Sequence, residues 1–187
     1  MLFVVTGGPS VGKTTIISLL EQRGFRVVPE QATQIIQEGE FLPWVDRDRF
    51  QREVLRRQLE LEAPYVDSAD IVFLDRALYD GEAYYINDGM VPPADFDHLI
   101  PSRYEMAFLV EELSSFDNNG VRWENQEFTR KITPIFEHCY SSRNVPVKRI
   151  PAASPLARLE LVLDTVAKKV RLPVVEPTMV MPPLVYA

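Results

Sequence analysis

Gly7-Gly8-Pro9-Ser10-Val11-Gly12-Lys13-Thr14 reads G-x-x-x-x-G-K-[ST] in full, and Thr15 follows it. The run before it, Leu2 to Thr6, is short and apolar, the mark of a buried strand. The run after it, Lys13 to Gln22, carries Ile16, Ile17, Leu19 and Leu20 at helical spacing and stops at Gly24. Strand, glycine turn and helix in that order make an anion cradle. Glycines let the backbone curl so that successive N–H groups aim at phosphate oxygens. The helix adds the positive end of its dipole. Lys13 reaches β and γ phosphates as a compact charge, and the Thr14 hydroxyl is a ligand for Mg²⁺. The segment Gly7 to Thr15 is therefore the expected binding site for ATP or GTP.

Outward from the cradle, strands and helices alternate. Phe25 to Pro29 reads as a second strand, Glu30 to Glu38 as a helix closed by Gly39, and Asp46 to Glu62 as a long helix. On that helix Phe50, Val54 and Leu61 lie near one face, with Leu55 and Leu59 beside it. Asp70 to Asp75 is a third strand, Ala77 to Ile86 a helix, and Tyr104 to Val110 a fourth strand. Asn87 to Arg103 reads as a loop. Glu111 to Asn125 is polar and holds the turn Asp117-Asn118-Asn119-Gly120. Gln126 to Arg143 is a helix, Val145 to Ile150 a fifth strand, and Pro155 to Val170 a last helix. This order predicts a three-layer α/β domain around a five-stranded parallel sheet, with the Asp75 strand beside the cradle strand. The domain spans residues 1–170. A Pro/Val-rich tail, 171–187, follows and is either an extended arm, docked on this protein or on the neighbouring subunit of a homodimer, or a partly ordered end.

Bulk composition fits this reading. The chain has 187 residues, 46% hydrophobic and 25% charged, as in a soluble globular domain. A net charge of −7 argues against a nucleic-acid partner. No apolar run approaches the ~20 residues that span a bilayer, so no membrane partner is expected. Cys139 is the one cysteine, which excludes an intrachain disulfide and points to a reducing cytoplasm. His98 and His138 have no metal-ligand company.

Asp75 closes the run Asp70 to Asp75, where an acid can hold Mg²⁺ through water, so Thr14 and Asp75 form the expected metal pair. No guanine-reading Asn-Lys-x-Asp follows a strand, which favours ATP over GTP. The run Phe73-Leu74-Asp75-Arg76 looks like that of nucleoside and nucleoside-monophosphate kinases. More closely, the chain resembles the AAA-type ATPase/kinase family that includes the ribosylnicotinamide kinase domain of NadR-type proteins. The segments that carry the resemblance are GGPSVGKTT, VVPEQATQII, FLDRALYDGEAYY, GVRWENQEF and VKRIPAASPLARLELVL, from Met1 to about Val170. The resemblance implies a P-loop phosphotransferase in which an acid after the second strand faces the substrate hydroxyl. Glu30 holds that place and is the first candidate for the base, with Asp75 second.

Other candidates surround these two. Arg76 can contact substrate or the moving phosphoryl group. Gln51 and Gln58 put two amides on one helix face, and Tyr79, Tyr84 and Tyr85 offer rings for stacking or for the core. P-loop kinases carry a phosphate-covering lid after the fourth strand, which by resemblance is about residues 111–130. Arg122 and Arg130 there can neutralise transition-state charge. Arg49, Arg52 and Arg56 read as a solvated face. The expected function is ATP- and Mg²⁺-dependent phosphorylation of a small hydroxyl-bearing metabolite, nucleoside-like by resemblance. The rival is a nucleotide-dependent switch or binding ATPase without a small acceptor. A cavity lined by Glu30, Arg76 and the long helix separates the two, since only a kinase needs it.

Overall fold

Runs that are apolar at nearly every position must be covered on both faces, and Leu2–Thr6 and Val72–Asp75 are buried throughout. The structure is a computed structural model that describes residues 1–93, 103–112 and 121–170, excluding the side chains of 121–126. Among the described residues the strands are β1 (Leu2–Thr6), β2 (Arg26–Val28), β3 (Val72–Asp75), β4 (Tyr104–Val110) and β5 (Val147–Ile150). The helices are α1 (Lys13–Gln22), α2 (Gln31–Glu38), α3 (Arg47–Glu62), α4 (Leu78–Asn87), α5 (Val121–Ser141) and α6 (Pro155–Val170). The five strands are parallel, in the order β2-β3-β1-β4-β5. The cradle strand β1 is thus flanked by the Asp75 strand, as its sequence context requires.

Side chains alternate across the sheet with period two. Phe3, Val5, Phe73, Phe108 and Ile150 face one layer, where they meet Ile16 and Leu20 of α1 and Leu159, Val162 and Val166 of α6. Leu2, Val4, Leu74, Ala107 and Leu109 face the other, against Leu78, Tyr79 and Ala83 of α4 and Ile132, Phe136 and Tyr140 of α5. Cys139 is buried in that second layer. The register pairs Val5 with Asp75, so the C-terminal ends of β1 and β3 lie side by side at one sheet edge. Crossover helices start from that edge, which is where ligands bind in open α/β sheets.

Three expectations are corrected. α5 begins at Val121, so Val121 to Asn125 is helical and not part of a polar loop. The polar residues there are compatible with a helix. On α3, Phe50 is buried but Leu61 is exposed, and Gln51, Glu53, Gln58 and Glu62 are buried instead. α3 packs mainly on α2 and α4, and Glu62 accepts from Tyr104 of β4, so part of its inner face meets polar groups. The second, third and fifth strands are shorter than their apolar runs, because Phe25, Ile71 and Val145 pack on the core outside the ladder. Residues 94–102 of the expected loop, 113–120 of the expected lid and 171–187 of the expected tail lie outside the described residues.

Close packing also constrains the glycines of the cradle. A Cβ on Gly8 would stand 2.4 Å from Thr129 Cγ2 and 2.7 Å from Thr129 Cβ, so α5 rests directly on the turn. Gly7 sits at φ 137° with Val110 O 2.6 Å from its would-be Cβ. Gly8→Ala should therefore lower stability by about 1–3 kcal/mol through overpacking. Thr129→Ala should restore only part of this in the double variant, because Thr129 Cβ itself is in the way. Denaturant midpoints of the two variants check it, and an unchanged Gly8→Ala midpoint would contradict the packing.

Candidate active site

The cradle is folded as its sequence implies. Gly12 takes the left-handed conformation at φ 96° as the residue before α1, and Ser10 also has positive φ, at 59°. Lys13 curls back over the turn and donates from Nζ to Gly8 O at 2.6 Å. Its side chain is buried, with the residue 7% exposed. Burial and then the nearby Arg76 charge pull its pKa down to about 7, against the raising influence of Asp75, Glu30 and Asp80. Thr14 and Thr15 stay open to solvent at the start of α1.

The end of β3 supplies the acid. Thr14 Oγ1 donates to Asp75 Oδ2 at 3.4 Å. Asp75 Oδ1 is buried and has no hydrogen-bond partner. Burial raises the Asp75 pKa above its ordinary value, opposed by the Lys13 charge. A buried carboxylate oxygen without a donor is costly, and a divalent cation would satisfy it. The donor set is right for Mg²⁺, which takes one or two protein oxygens and fills the rest with phosphate and water. No cluster of three or more His, Cys, Asp or Glu that could hold a metal occurs among the described residues.

Arg76 follows Asp75 at φ 66°, a left-handed turn that is strained for a residue with a Cβ. Its N–H donates to Val5 O at 3.1 Å, which holds the turn. The side chain is buried. Nε donates to Glu30 Oε1 at 2.7 Å and Nη1 to Asp80 Oδ1 at 3.0 Å. The rings of Tyr84 and Phe136 each lie 5.5 Å from its guanidinium carbon. Asp80 is saturated. It also accepts from Thr6 Oγ1 at 2.6 Å, from Ala77 N at 3.2 Å and from the Tyr140 hydroxyl. Glu30 accepts from Thr33 Oγ1 at 2.8 Å through its second oxygen. Burial pushes the Glu30 carboxyl up, but Arg76, Thr33 and Lys13 outweigh it and hold the pKa below the ordinary value.

Beside this cluster lies a cavity of about 180 Å³. Glu30, Arg76 and Asp80 form its polar end, and Phe50, Val54, Leu55 and Tyr84 are among its apolar walls. Gln51 and Gln58 both line it. Gln58 Nε2 donates to Glu62 Oε1 at 2.8 Å. Arg47 stands at the wall too, paired with Asp88 at 2.6 Å.

Lys13, Thr14, Glu30, Asp75 and Arg76 thus come together at one sheet edge. Of the three tyrosines, Tyr84 reaches the cavity, whereas Tyr79 and Tyr85 are core residues. Arg130 is exposed on α5, and the Arg122 side chain lies outside the described residues. Sequence reading passed over Asp80, although its place four residues after Arg76 is ion-pair spacing. It also passed over Glu62, fully buried and bonded by Gln58, Tyr104 and Arg103. Nothing in its polar helix marked Glu62 out. Arg158, 3% exposed, is a third omission. Its signal was a charge on the apolar face of α6, in line with Val162 and Val166.

The profile of a family described as AAA domain matches residues 2–158. No curated protein matches the chain by sequence. Among solved structures, thymidylate kinase from Ehrlichia chaffeensis is similar with TM-score 0.64 and 14% identity, over 89% of this chain and 98% of that one. NadR protein in complex with NR is similar with TM-score 0.67 and 16% identity, over 95% of this chain and 52% of that one. Deoxyadenosine kinase from M. mycoides has TM-score 0.61 and 12% identity, over 90% of this chain and 100% of that one. The fold is that of P-loop nucleotide kinases.

The Lys13 environment has a measurable consequence. The unfolded chain keeps this proton up to its ordinary value of 10.5, whereas the folded chain releases it at about 7. Between those values the unfolded chain binds more protons, so this group makes stability rise with pH through that window. Lys13→Met should abolish tight nucleotide binding. It should be at least as stable as the parent at pH 7, with its advantage shrinking toward pH 10. A polyphosphate restores the lysine charge, so calorimetry in buffers of different ionisation enthalpy should show proton uptake on binding near pH 8. Zero uptake would contradict the buried-lysine account.

Proposed function

Because the chain belongs to the AAA-domain family matched over residues 2–158, we propose that it is an ATP- and Mg²⁺-dependent phosphotransferase acting on a small, nucleoside-like hydroxyl acceptor. The observation that carries this reading is the cavity between α2, α3 and α4, whose polar end is Glu30 and Arg76. A nucleotide switch has no use for such a chamber beside its phosphates. The cradle from Gly7 to Thr15 holds the triphosphate. Thr14 and Asp75 would hold Mg²⁺, which would supply positive charge against the phosphates.

The charged side chains of the cavity point to the kind of acceptor. Arg76 is balanced by Glu30 and Asp80, and Arg47 by Asp88. Neither arginine among these described residues is left over for a phosphomonoester, so an uncharged acceptor is the better fit. Its ring would lie along Phe50, Val54, Leu55 and Tyr84. Gln51 and Gln58 would read its polar edge, Gln58 with the carbonyl oxygen that its bond to Glu62 leaves free. This arrangement favours a nucleoside over a nucleoside monophosphate.

Glu30 is the base in this scheme. Arg76 and Thr33 fix its orientation, and its lowered pKa keeps it ionised at neutral pH. The acceptor oxygen attacks the γ phosphorus as its proton passes to the Glu30 carboxylate. The bond from the γ phosphorus to the bridging oxygen breaks, and ADP leaves. Arg122 and Arg130, in a lid of about residues 111–130, would bring further positive charge to the transferring group. Holding the reactants in line supplies most of the acceleration.

Glu30→Gln keeps size and hydrogen-bonding reach but removes the proton acceptor. Nucleotide affinity should barely change, and kcat should fall by roughly 10²–10⁴, the usual range for a general base. In the parent enzyme the acid limb of kcat/KM should lie below the ordinary glutamate range, with the rate falling as pH drops through it. A Glu30→Gln enzyme with the parent kcat would remove Glu30 from the role.

A further inference from the structure

Arg158 is the buried charge that the scheme above does not use. It sits in the first turn of α6, and its guanidinium reaches three separate segments. Nη1 donates to Val11 O at 2.6 Å, Nη2 to Glu111 O at 2.8 Å and Nε to Pro151 O at 3.0 Å. These carbonyls belong to the phosphate turn, to the end of β4 and to the end of β5. No carboxylate accepts from Arg158 among the described residues, and the side chain of Glu111 pairs with Arg149. A guanidinium taken out of water without a counter-ion is expensive to keep. Leucine would fill the apolar face of α6 at lower cost, so packing alone does not account for it.

The bond to Val11 has a directional consequence. A trans peptide is planar, and its C=O and N–H point opposite ways. Val11 C=O is turned down onto Arg158, so the N–H of the same peptide, that of Gly12, is turned up into the cradle. The contact is close: a Cβ on Gly12 would lie 3.4 Å from Arg158 Nη1. A positive charge at the carbonyl end also polarises the peptide and makes its N–H a stronger donor. Lys13 fixes the neighbouring part of the turn through Gly8 O from the opposite direction.

We propose that Arg158 is a positioning residue that presets the phosphate cradle, aiming the Gly12 N–H at the bound phosphate and tying the turn to the chain ends that leave β4 and β5. The inference rests on the cradle being a nucleotide site. The tie also means that the segment starting at Glu111, and the one starting at Pro151, are indexed to the same guanidinium that sets the phosphate donors.

Two variants and two probes test it. Arg158→Met removes the charge and all three bonds. Arg158→Lys keeps the charge, but a single ammonium cannot span three carbonyls in the fork geometry. Binding of tripolyphosphate and of Mg-ATP is measured by calorimetry well below each variant's melting temperature, and the Gly12 amide is followed by ¹H–¹⁵N NMR. Arg158→Met should weaken both probes by the same factor, roughly 10–100-fold as for a lost charge-assisted hydrogen bond. Arg158→Lys should fall in between. In the parent the Gly12 amide proton should move downfield on tripolyphosphate addition, and in the variants this response should shrink. A folded Arg158→Met that binds both probes like the parent would overturn the proposal. So would loss of Mg-ATP affinity alone, which would place the action after β5 and not in the cradle. If Arg158→Met does not fold, an Arg158→Lys protein with parental affinity and Gly12 response overturns it equally. A parent protein that binds neither probe would instead refute the nucleotide site itself.

Discussion

A guanidinium buried at the C-terminal edge of the sheet has to be neutralised where it stands, and the arrangement around Arg76 follows from that need. Its main chain is fixed by the pairing of β1 with β3, since Val5 O receives its N–H. Its side chain then requires acids at two distances. Asp80 comes from the first turn of α4, and Glu30 from the start of α2. Asp80 in turn collects Thr6, Ala77 and Tyr140, which bind β1, α4 and α5 to the same carboxylate. One desolvated charge thereby links the sheet edge, both flanking helices and the wall of the cavity.

The same edge carries the phosphate chemistry. Lys13, Asp75, Glu30, Asp80 and Arg76 feel one another through a poorly solvated region, as the shifted pKa values of Lys13, Glu30 and Asp75 record. Burial pulls the Lys13 pKa down to about 7, and Asp75 Oδ1 is buried without a donor. A magnesium-bound polyphosphate would offer a counter-charge to the first and a ligand partner to the second. The substrate side is different, because its acids and arginines already satisfy one another. That contrast is the physical ground for assigning the anion to the cradle and an uncharged molecule to the cavity.

Much of the architecture was legible because it rests on local rules. The glycine turn, the apolar runs Leu2–Thr6 and Tyr104–Val110, and the helical spacing of Lys13–Gln22 each have one physical solution, and each forms where it was expected. Asp75 and Glu30 lie near one another because strand ends in an α/β sheet converge at one edge. What stayed hidden depends on tertiary contact. Glu62 and Gln58 look like any polar helix flank until Tyr104 and Arg103 arrive from a distant strand. Leu61 shares a helix face with Phe50 and Val54, yet it is exposed while those two line the cavity. The onset of α5 was missed because a polar stretch after a glycine reads equally as loop or helix. Arg158 was visible as a misplaced charge on an apolar face, but only the folded chain says which carbonyls it serves.

Phosphoryl transfer to an uncharged hydroxyl compound is read out by the masses of its products. The parent protein is incubated with Mg-ATP and with matched pairs, each a nucleoside and its monophosphate. A nucleoside should gain one phosphoryl group for every ADP formed, while the paired monophosphates remain unchanged. ADP released with inorganic phosphate regardless of acceptor, or no consumption of ATP with any of them, would contradict it.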